Sequence, residues 1–356
     1  MDFALSAEQD ELAASERAWL TKHDPIARRR KSIDDGPEVI DPATVNHAIE
    51  SGLLGLMTEE MGGTHVDLAV LVEEHGRAGS ALPLAELALT AAELEKLDHP
   101  LSAKAVDAAS GEDIIAIATA SNDGIPFRVD INGSTLNLIG SSAPSVGLFD
   151  ATGYLVAGQN ADGREIIALL TPGQSSVSVR NLETLDLTRT WSTLEFDVTL
   201  SAEHWTLVPE GTLARISDAL ALYRKMDALG AAQKLLDLSV EYAKQRTQFD
   251  RPIGSFQAVK HHLADMALMV EASRASLWAG AVALDKSSRE RRSAAVSAAA
   301  AYAGESTSTV AQTALQVHGG IGFTWEHDLH LLIRRIKVDE LLNGSVSWHR
   351  RRLISA

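Results

Sequence analysis

The spacing of hydrophobic and polar positions changes twice along the chain. Up to about residue 108, apolar residues recur at helical spacing, with Phe3, Leu5, Leu12 and Leu20 on one broad face of the first segment. Asp41-Pro42 has the form of a helix start, an N-cap followed by proline at the first helical position, and Gly62-Gly63 ends that unit. Further helices are predicted near Val66–Arg77 and Leu84–Leu97, with His99-Pro100 closing the run. From about 110 the segments shorten and become rich in β-branched residues: Ile114–Thr119, Ser134–Ile139, Tyr154–Ala157, Glu165–Thr171, Val177–Arg180 and Thr193–Leu200. Asn132-Gly133 between two such runs is a hairpin signal, and Asp162-Gly163 and Pro172-Gly173 punctuate the later strands. From about 209 the helical period returns. Val259, Leu263, Ala267 and Val270 share one face, as do Leu329, Leu332, Ile333 and Ile336, and the small residues of Ala294–Ala314 allow close approach before Gly319-Gly320 ends that helix.

These elements predict an α+β, multi-domain chain. A helical domain (1–108) precedes a small antiparallel β sandwich or barrel (109–208), and an antiparallel four-helix bundle (209–356) follows. The two helical parts are expected to pack together around the interruption.

Composition narrows the function. Hydrophobic residues make up 45% and charged residues 22% of the 356 positions, the balance of a folded globular protein. With 32 basic and 48 acidic residues the net charge is −16, which argues against nucleic acid as a partner. There is no cysteine, so disulfides, thiol catalysis, thiolate zinc sites and iron–sulfur clusters are excluded. The acidic, amphipathic start lacks the features of a signal peptide, and no apolar run reaches the ~18 residues of a membrane span. A cytoplasmic protein is the expectation.

Generic motifs are sparse. Gly319-Gly320-Ile321-Gly322 follows a helix and not a strand, so a dinucleotide fingerprint fails and a helix C-cap is the plain reading. Among twelve histidines, His261-His262 and the pair His327 and His330 have no third ligand nearby and read as surface or packing residues. No nucleophile elbow is present. Residues 246–257 are more specific. Arg246 ends one helix, Pro252-Ile253-Gly254 makes a turn, and Ser255 is placed to cap the next helix. An arginine at such a corner suits a carboxylate or a phosphate, or a surface ion pair.

Three features resemble the acyl-CoA dehydrogenase family. RTQFDRPIGSFQ at 246–257 is similar to its RxQFxxPIxxFQ signature, and QVHGGIGF at 316–323, with Glu326 after it, is similar to its QxxGGxGF segment. The MDFxLxxEQ start and the helix–sandwich–helix order agree. The resemblance implies FAD held between two subunits, one offering the β domain and the other these two segments. It assigns Arg246 to the FAD pyrophosphate and Gln248, Phe249 and Phe256 to the ADP side, with Gln257 in the same signature. Gln316, Gly319 and Gly320 would approach the adenosine and ribose. The implied reaction removes the α-proton of an acyl-CoA thioester while a β-hydride passes to the flavin, and it needs a carboxylate base. The electron acceptor implied is of the electron-transfer flavoprotein type.

The chain departs from the family where that chemistry belongs. The position of the usual glutamate is Asn343, within Leu341–Ser345, and an amide is no base. The alternative position, on an earlier helix, falls on Leu220. Asp218 lies about 200° around that helix and Asp227 roughly 10 Å along it, and both are expected on a solvated face. The flavin loop aligns with Ala118–Gly124, where only Thr119 matches, and the strand that backs the flavin aligns with Pro144-Ser145-Val146. The half-site offered to a neighbour is intact while the chain's own is eroded. The resemblance therefore points to the non-catalytic partner in an actinobacterial α2β2 acyl-CoA dehydrogenase of the kind found in steroid catabolism, sharing FAD with a homologous catalytic subunit. A self-sufficient homotetramer with a displaced base and a flavin-free acyl-CoA-binding scaffold are the alternatives.

Overall fold

The computed structural model describes residues 5–33, 40–121 and 127–355. Six helices come first: α1 (Ala7–His23), α2 (Ala27–Ser32), α3 (Pro42–Glu50), α4 (His65–Ala78), α5 (Leu84–Glu95) and α6 (Lys104–Ser110). Their starts follow local chemistry. Ser6 and Gln9 form a capping box for α1, as Thr64 and Asp67 do for α4, and Asp41 caps α3 with proline at the first helical position. Two expectations are corrected. Helix α3 stops at Glu50, well before Gly62, and His99-Pro100 opens a 3-10 turn (Pro100–Ala103) that runs into α6 instead of closing the helical region. On α1, Leu20 is buried and Leu12 half-buried, as Leu5 is just before it; Phe3 lies outside the described residues.

Among the described residues nine strands follow: β1 (Ile115–Thr119), β2 (Arg128–Asn132), β3 (Thr135–Ser141), β4 (Ser145–Val146), β5 (Gly153–Gln159), β6 (Glu165–Leu170), β7 (Val177–Leu182), β8 (Trp191–Leu200) and β9 (Trp205–Val208). They form two sheets, β1-β5-β6-β9 and β2-β3-β8-β4, with β7 also paired to β8. The hairpin expected at Asn132-Gly133 joins β2 to β3, with Gly133 at φ 60°. Pairing is antiparallel except for β1 with β5, because the chain between them crosses through the other sheet. Phe127, Val129, Leu136, Leu138, Val156, Ile166, Leu194 and Phe196 fill the sandwich core. The sequence pattern missed β4 and β9, which are too short to show a period.

The last third comprises α7 (Thr212–Gln245), the short strands β10 (Thr247–Gln248) and β11 (Arg251–Pro252), then α8 (Gln257–Lys286), α9 (Arg289–His318), α10 (Leu329–Leu341) and α11 (Val346–Ile354). Three long helices and the shorter α10 make the bundle. Helix α8 is long and apolar enough to cross a membrane by length and composition, against the sequence expectation; it packs on α7 and α9, and 39% of its apolar window is buried. Helix α7 ties the two helical parts together. A Cβ on Gly230 would lie 1.9 Å from the Glu73 carbonyl oxygen, and one on Gly76 would lie 2.1 Å from that of Asp227, so α4 and α7 meet backbone to backbone. One continuous core then runs from Leu68 and Leu87 through Leu222 and Leu229 to Leu332 and Ile336.

Candidate functional site

Two regions carry the sequence-predicted residues. The first is the end of the bundle where α7 and α9 stop. Arg246 leaves α7 in an extended conformation, and β10 and β11 pair around a two-residue turn at Phe249 and Asp250. Both turn residues are left-handed, at φ 54° and 62°, a conformation a phenylalanine rarely adopts. The Ile253 N–H donates to the Arg246 carbonyl at 2.8 Å and closes the loop. Helix α8 then opens behind the extended Phe256 with no side-chain cap; Ser255, expected as that cap, sits in the 3-10 turn Ile253–Ser255. The Phe249 ring is 86% exposed and meets Phe256 edge-on at 6.1 Å, while the Arg251 guanidinium lies 4.1 Å over Phe256. Arg246, Gln248 and Gln257 are exposed, and the Arg246 guanidinium makes no ion pair among the described residues.

Helix α9 ends beside this loop. Gly319 takes φ 58° and ψ −137°, open only to glycine, and a 3-10 turn covers Gly319–Phe323. A Cβ on Gly319 or Gly320 would meet nothing within 4 Å, so both glycines face open space. Gln316 is exposed one turn earlier. Tyr242 stacks on His318 at 4.6 Å and joins the two helix ends, which brings the two predicted segments side by side. His327 meets His318 edge-on while His330 stacks on Trp325, so the two histidines do not converge. His261 and His262 are exposed, and the described residues contain no cluster suited to a metal.

The second region is a cleft of about 910 Å³ between the sandwich and the helices. Thr119, Ala120 and Ser121 at the end of β1, Ala143-Pro144, Leu213 and Ser217 of α7, and Leu341–Gly344 line it. Asn122–Gly124, aligned with the flavin loop, lie outside the described residues. Asn343 is half-buried and left-handed at φ 54°. The Arg224 Nε–H donates to its Oδ1 at 3.4 Å. Lys225, fully buried, donates to the carbonyls of Asp339, Glu340 and Leu342 and so caps the C-terminus of α10. Leu220 is buried in the helical core.

Neither Asp218 nor Asp227 lies on a solvated face, which corrects the sequence expectation. Asp218 accepts from Arg292 at 2.9 Å, Arg352 at 2.6 Å and Ser293 at 2.8 Å. Asp227 accepts two bonds from Arg335, at 2.6 and 2.7 Å, and one from Arg189 at 3.0 Å. Arg189 also donates to Asp186 at 2.8 Å and Asp339 at 2.5 Å, and Arg224 pairs with Glu86. Buried cations (Arg189, Arg224, Lys225, Arg335) and buried carboxylates (Glu86, Asp186, Asp227, Asp339) thus balance in one network joining β8's approach, α5, α7 and α10. Burial acts to raise the Asp227 pKa, but Arg189 and Arg335 outweigh it and hold the carboxyl well below the usual range. Burial, with the charge of Asp227, pushes Asp339 up to about 7 against the pull of Arg189 and Arg224. Burial lowers Lys225 to about 8. Sequence reasoning missed this network; its one trace is Arg335, which lies on the core side of α10 beside Leu332 and Ile336.

Comparison with known proteins places the chain. Residues 218–356 match the family model for the acyl-CoA dehydrogenase C-terminal domain. The acyl-CoA dehydrogenase IpdE2 of Mycobacterium tuberculosis is 32% identical over 305 residues, spanning 84% of this chain and 85% of that protein. A chain from the crystal structure of the ChsE4-ChsE5 complex of Mycobacterium tuberculosis superimposes with a TM-score of 0.89 at 24% identity, covering 100% of this chain and 98% of that one. Butyryl-CoA dehydrogenase from Megasphaera elsdenii gives 0.86 at 21% identity, covering 100% and 99%. These two structures share the order of helices, sandwich and bundle. Sequence and fold together therefore establish that the chain belongs to the acyl-CoA dehydrogenase family.

Proposed function

We propose that this chain is the partner subunit of a heteromeric, FAD-dependent acyl-CoA dehydrogenase and lacks the base for its own turnover. One observation carries the reading. The cleft presents Asn343 where the resemblance expects a carboxylate; Asp130, the carboxylate among its described lining residues, pairs with Arg128, and Glu86, Asp218, Asp227 and Asp339 in the helices behind it are all held by guanidinium groups. A base must be free to take a proton at the working pH. Asp227, held ionised by two arginines, is not.

The bundle end supports the other half of the reading. A guanidinium at Arg246 that is exposed and makes no ion pair among the described residues suits a pyrophosphate, and two glycines facing open space allow a close backbone approach. In this reading Arg246 holds the pyrophosphate of FAD bound to the neighbour, Gln248, Phe249, Phe256 and Gln257 flank its ADP side, and Gln316, Gly319 and Gly320 lie against the adenosine ribose. When bound, FAD supplies the hydride acceptor. The α-proton of the acyl-CoA is taken by a carboxylate of the homologous catalytic subunit in an α2β2 assembly, and electrons leave to an electron-transfer flavoprotein-type acceptor. Residues 1–108 and 209–356 form the helical body and 109–208 the β domain. One structural neighbour comes from a ChsE4-ChsE5 complex and another from a Tcur3481-Tcur3483 steroid ACAD; the two-component assemblies favour a partner subunit and the second a bulky steroid-like acyl group.

Co-purification with the homologous subunit, followed by flavin stoichiometry, tests the proposal. About one FAD per two chains is expected in a two-subunit complex with half its sites filled, and Arg246→Ala in this chain should strip that flavin. A purified single chain that holds FAD and dehydrogenates an acyl-CoA sinks the proposal and establishes the self-sufficient alternative; a flavin-free complex would favour the scaffold.

A further inference from the structure

The turn that carries Asn343 is held from beneath by buried cations. Arg224 is buried on α7, pairs with Glu86 of α5, stacks 4.8 Å over the Trp191 ring and directs its Nε–H at the Asn343 side chain. A guanidinium has only donors, so the amide atom facing it is the oxygen, whichever way the amide is drawn. The amide NH2 is then the part of Asn343 left for the cleft that this residue lines. Lys225 fixes the turn through the Leu342 carbonyl at 3.3 Å, and the buried His349 of α11 packs under Gly344, where a Cβ would come within 2.7 Å of its Nε2. From α10, Asp339 lies 3.7 Å from Arg224 and Glu340 offers its carbonyl to Lys225.

We infer that Arg224 is a positioning residue that fixes Asn343 as a hydrogen-bond donor at the cleft, and that it would capture any carboxylate placed at this position instead of leaving it free to accept a proton. The inference deepens the reading of this chain as the subunit without a base: the loss is built into the residue behind the position as well as the residue at it. A carboxylate within a few ångströms of a buried guanidinium is favoured in its charged form, the opposite of what a proton acceptor needs.

The test is Asn343→Asp, which keeps the shape of the side chain and tolerates the left-handed backbone. It is compared in the full chain, as it purifies, in two backgrounds: the native one, and Arg224→Gln with Glu86→Gln, which avoids leaving a buried carboxylate unpaired. Each variant is melted against its parent at pH 6, 7 and 8, so that the titrations of Asp339 and Lys225 are common to both sides. In the native background Asn343→Asp is expected to stay within about 2 °C of its parent throughout. Without Arg224 the same change should lower the melting temperature by about 3 °C or more, increasingly so at higher pH, because the half-buried carboxylate must then ionise without a partner. Equal losses in the two backgrounds at every pH would overturn the inference. If the double background does not fold, the crystal structure of the Asn343→Asp chain decides: a carboxylate on Arg224 supports the inference, and one turned into the cleft overturns it. Melting does not depend on flavin loading, so failure of the partner reading leaves these outcomes unchanged.

Discussion

Tyr242, near the end of α7, stacks on His318, the last residue of α9, with ring centroids 4.6 Å apart and planes 21° apart. The His318 Nδ1–H donates to the Ala314 carbonyl at 2.8 Å, which orients the imidazole, and burial lowers its pKa so that the ring stays neutral. This stack joins the helix ends that carry the Arg246 loop and the Gly319-Gly320 turn. Ring stacking of this kind contributes ~0.5–1.5 kcal/mol beyond burial. Tyr242→Leu should therefore cost only a few degrees of melting temperature while the flavin content of the co-purified complex falls several-fold. Tyr242→Phe should preserve both. Equal flavin content in the leucine and phenylalanine variants would show that the stack does not position the site.

The buried network predicts a different signature. Asp227→Asn leaves Arg335 and Arg189 in the core without their shared anion, and breaking such a pair costs roughly 3–5 kcal/mol. Glu305→Gln removes an ion pair with Arg350 in which both side chains are more than half exposed, and should change stability by no more than ~0.5 kcal/mol. Denaturant unfolding of the two variants against the parent checks the contrast. A small loss at Asp227 would mean that the network contributes little to holding the sandwich on the helices.

Much of the fold was legible because its signals are local. The Asp41-Pro42 start and the Asn132-Gly133 turn each specify an element within a few residues. The segments at 246–257 and 316–323 were legible as motifs for the same reason, since each is contiguous in the chain. What could not be read was long-range. Asp227 meets Arg335 across 108 positions and Arg189 across 38, and no helical period distinguishes a charge that finds such partners from one that faces water. The parallel pairing of β1 with β5 also depends on where the intervening strands go.

Two buried histidines make the fold sensitive to acid. Burial lowers His349 to about 3 and His65 to about 4, with Lys225 and Lys96 adding to the shift respectively. Unfolded, both would titrate near ~6.5. The folded state resists protonation, so the unfolded chain binds more protons and stability rises with pH across this window. Their contribution is complete above about 6.5 and is lost as pH falls toward about 4 and then about 3. Melting temperatures are expected to drop steadily between pH 6.5 and 4.5, and less steeply in His349→Gln. A profile unchanged by that substitution would exclude His349 as a cause.

The two glycines at the end of α9 separate backbone strain from ligand contact. Gly319 needs φ 58° with ψ −137°, so Gly319→Ala is strained although nothing crowds the new methyl group, and it should cost ~1–3 kcal/mol of stability. Gly320 has no positive φ and equally open surroundings, so Gly320→Ala should leave the melting temperature of the chain unchanged or slightly raised. If the open space over Gly320 is where the adenosine ribose of a shared FAD lies, the same methyl group intrudes on the cofactor. Gly320→Ala is then expected to weaken flavin retention by the co-purified complex by tenfold or more, with a normal melting curve for the chain itself. Titration of FAD into the deflavinated complex, followed by flavin fluorescence, measures that loss. Unaltered affinity in Gly320→Ala would move the cofactor away from this turn and leave Gly319 and Gly320 with a purely structural role.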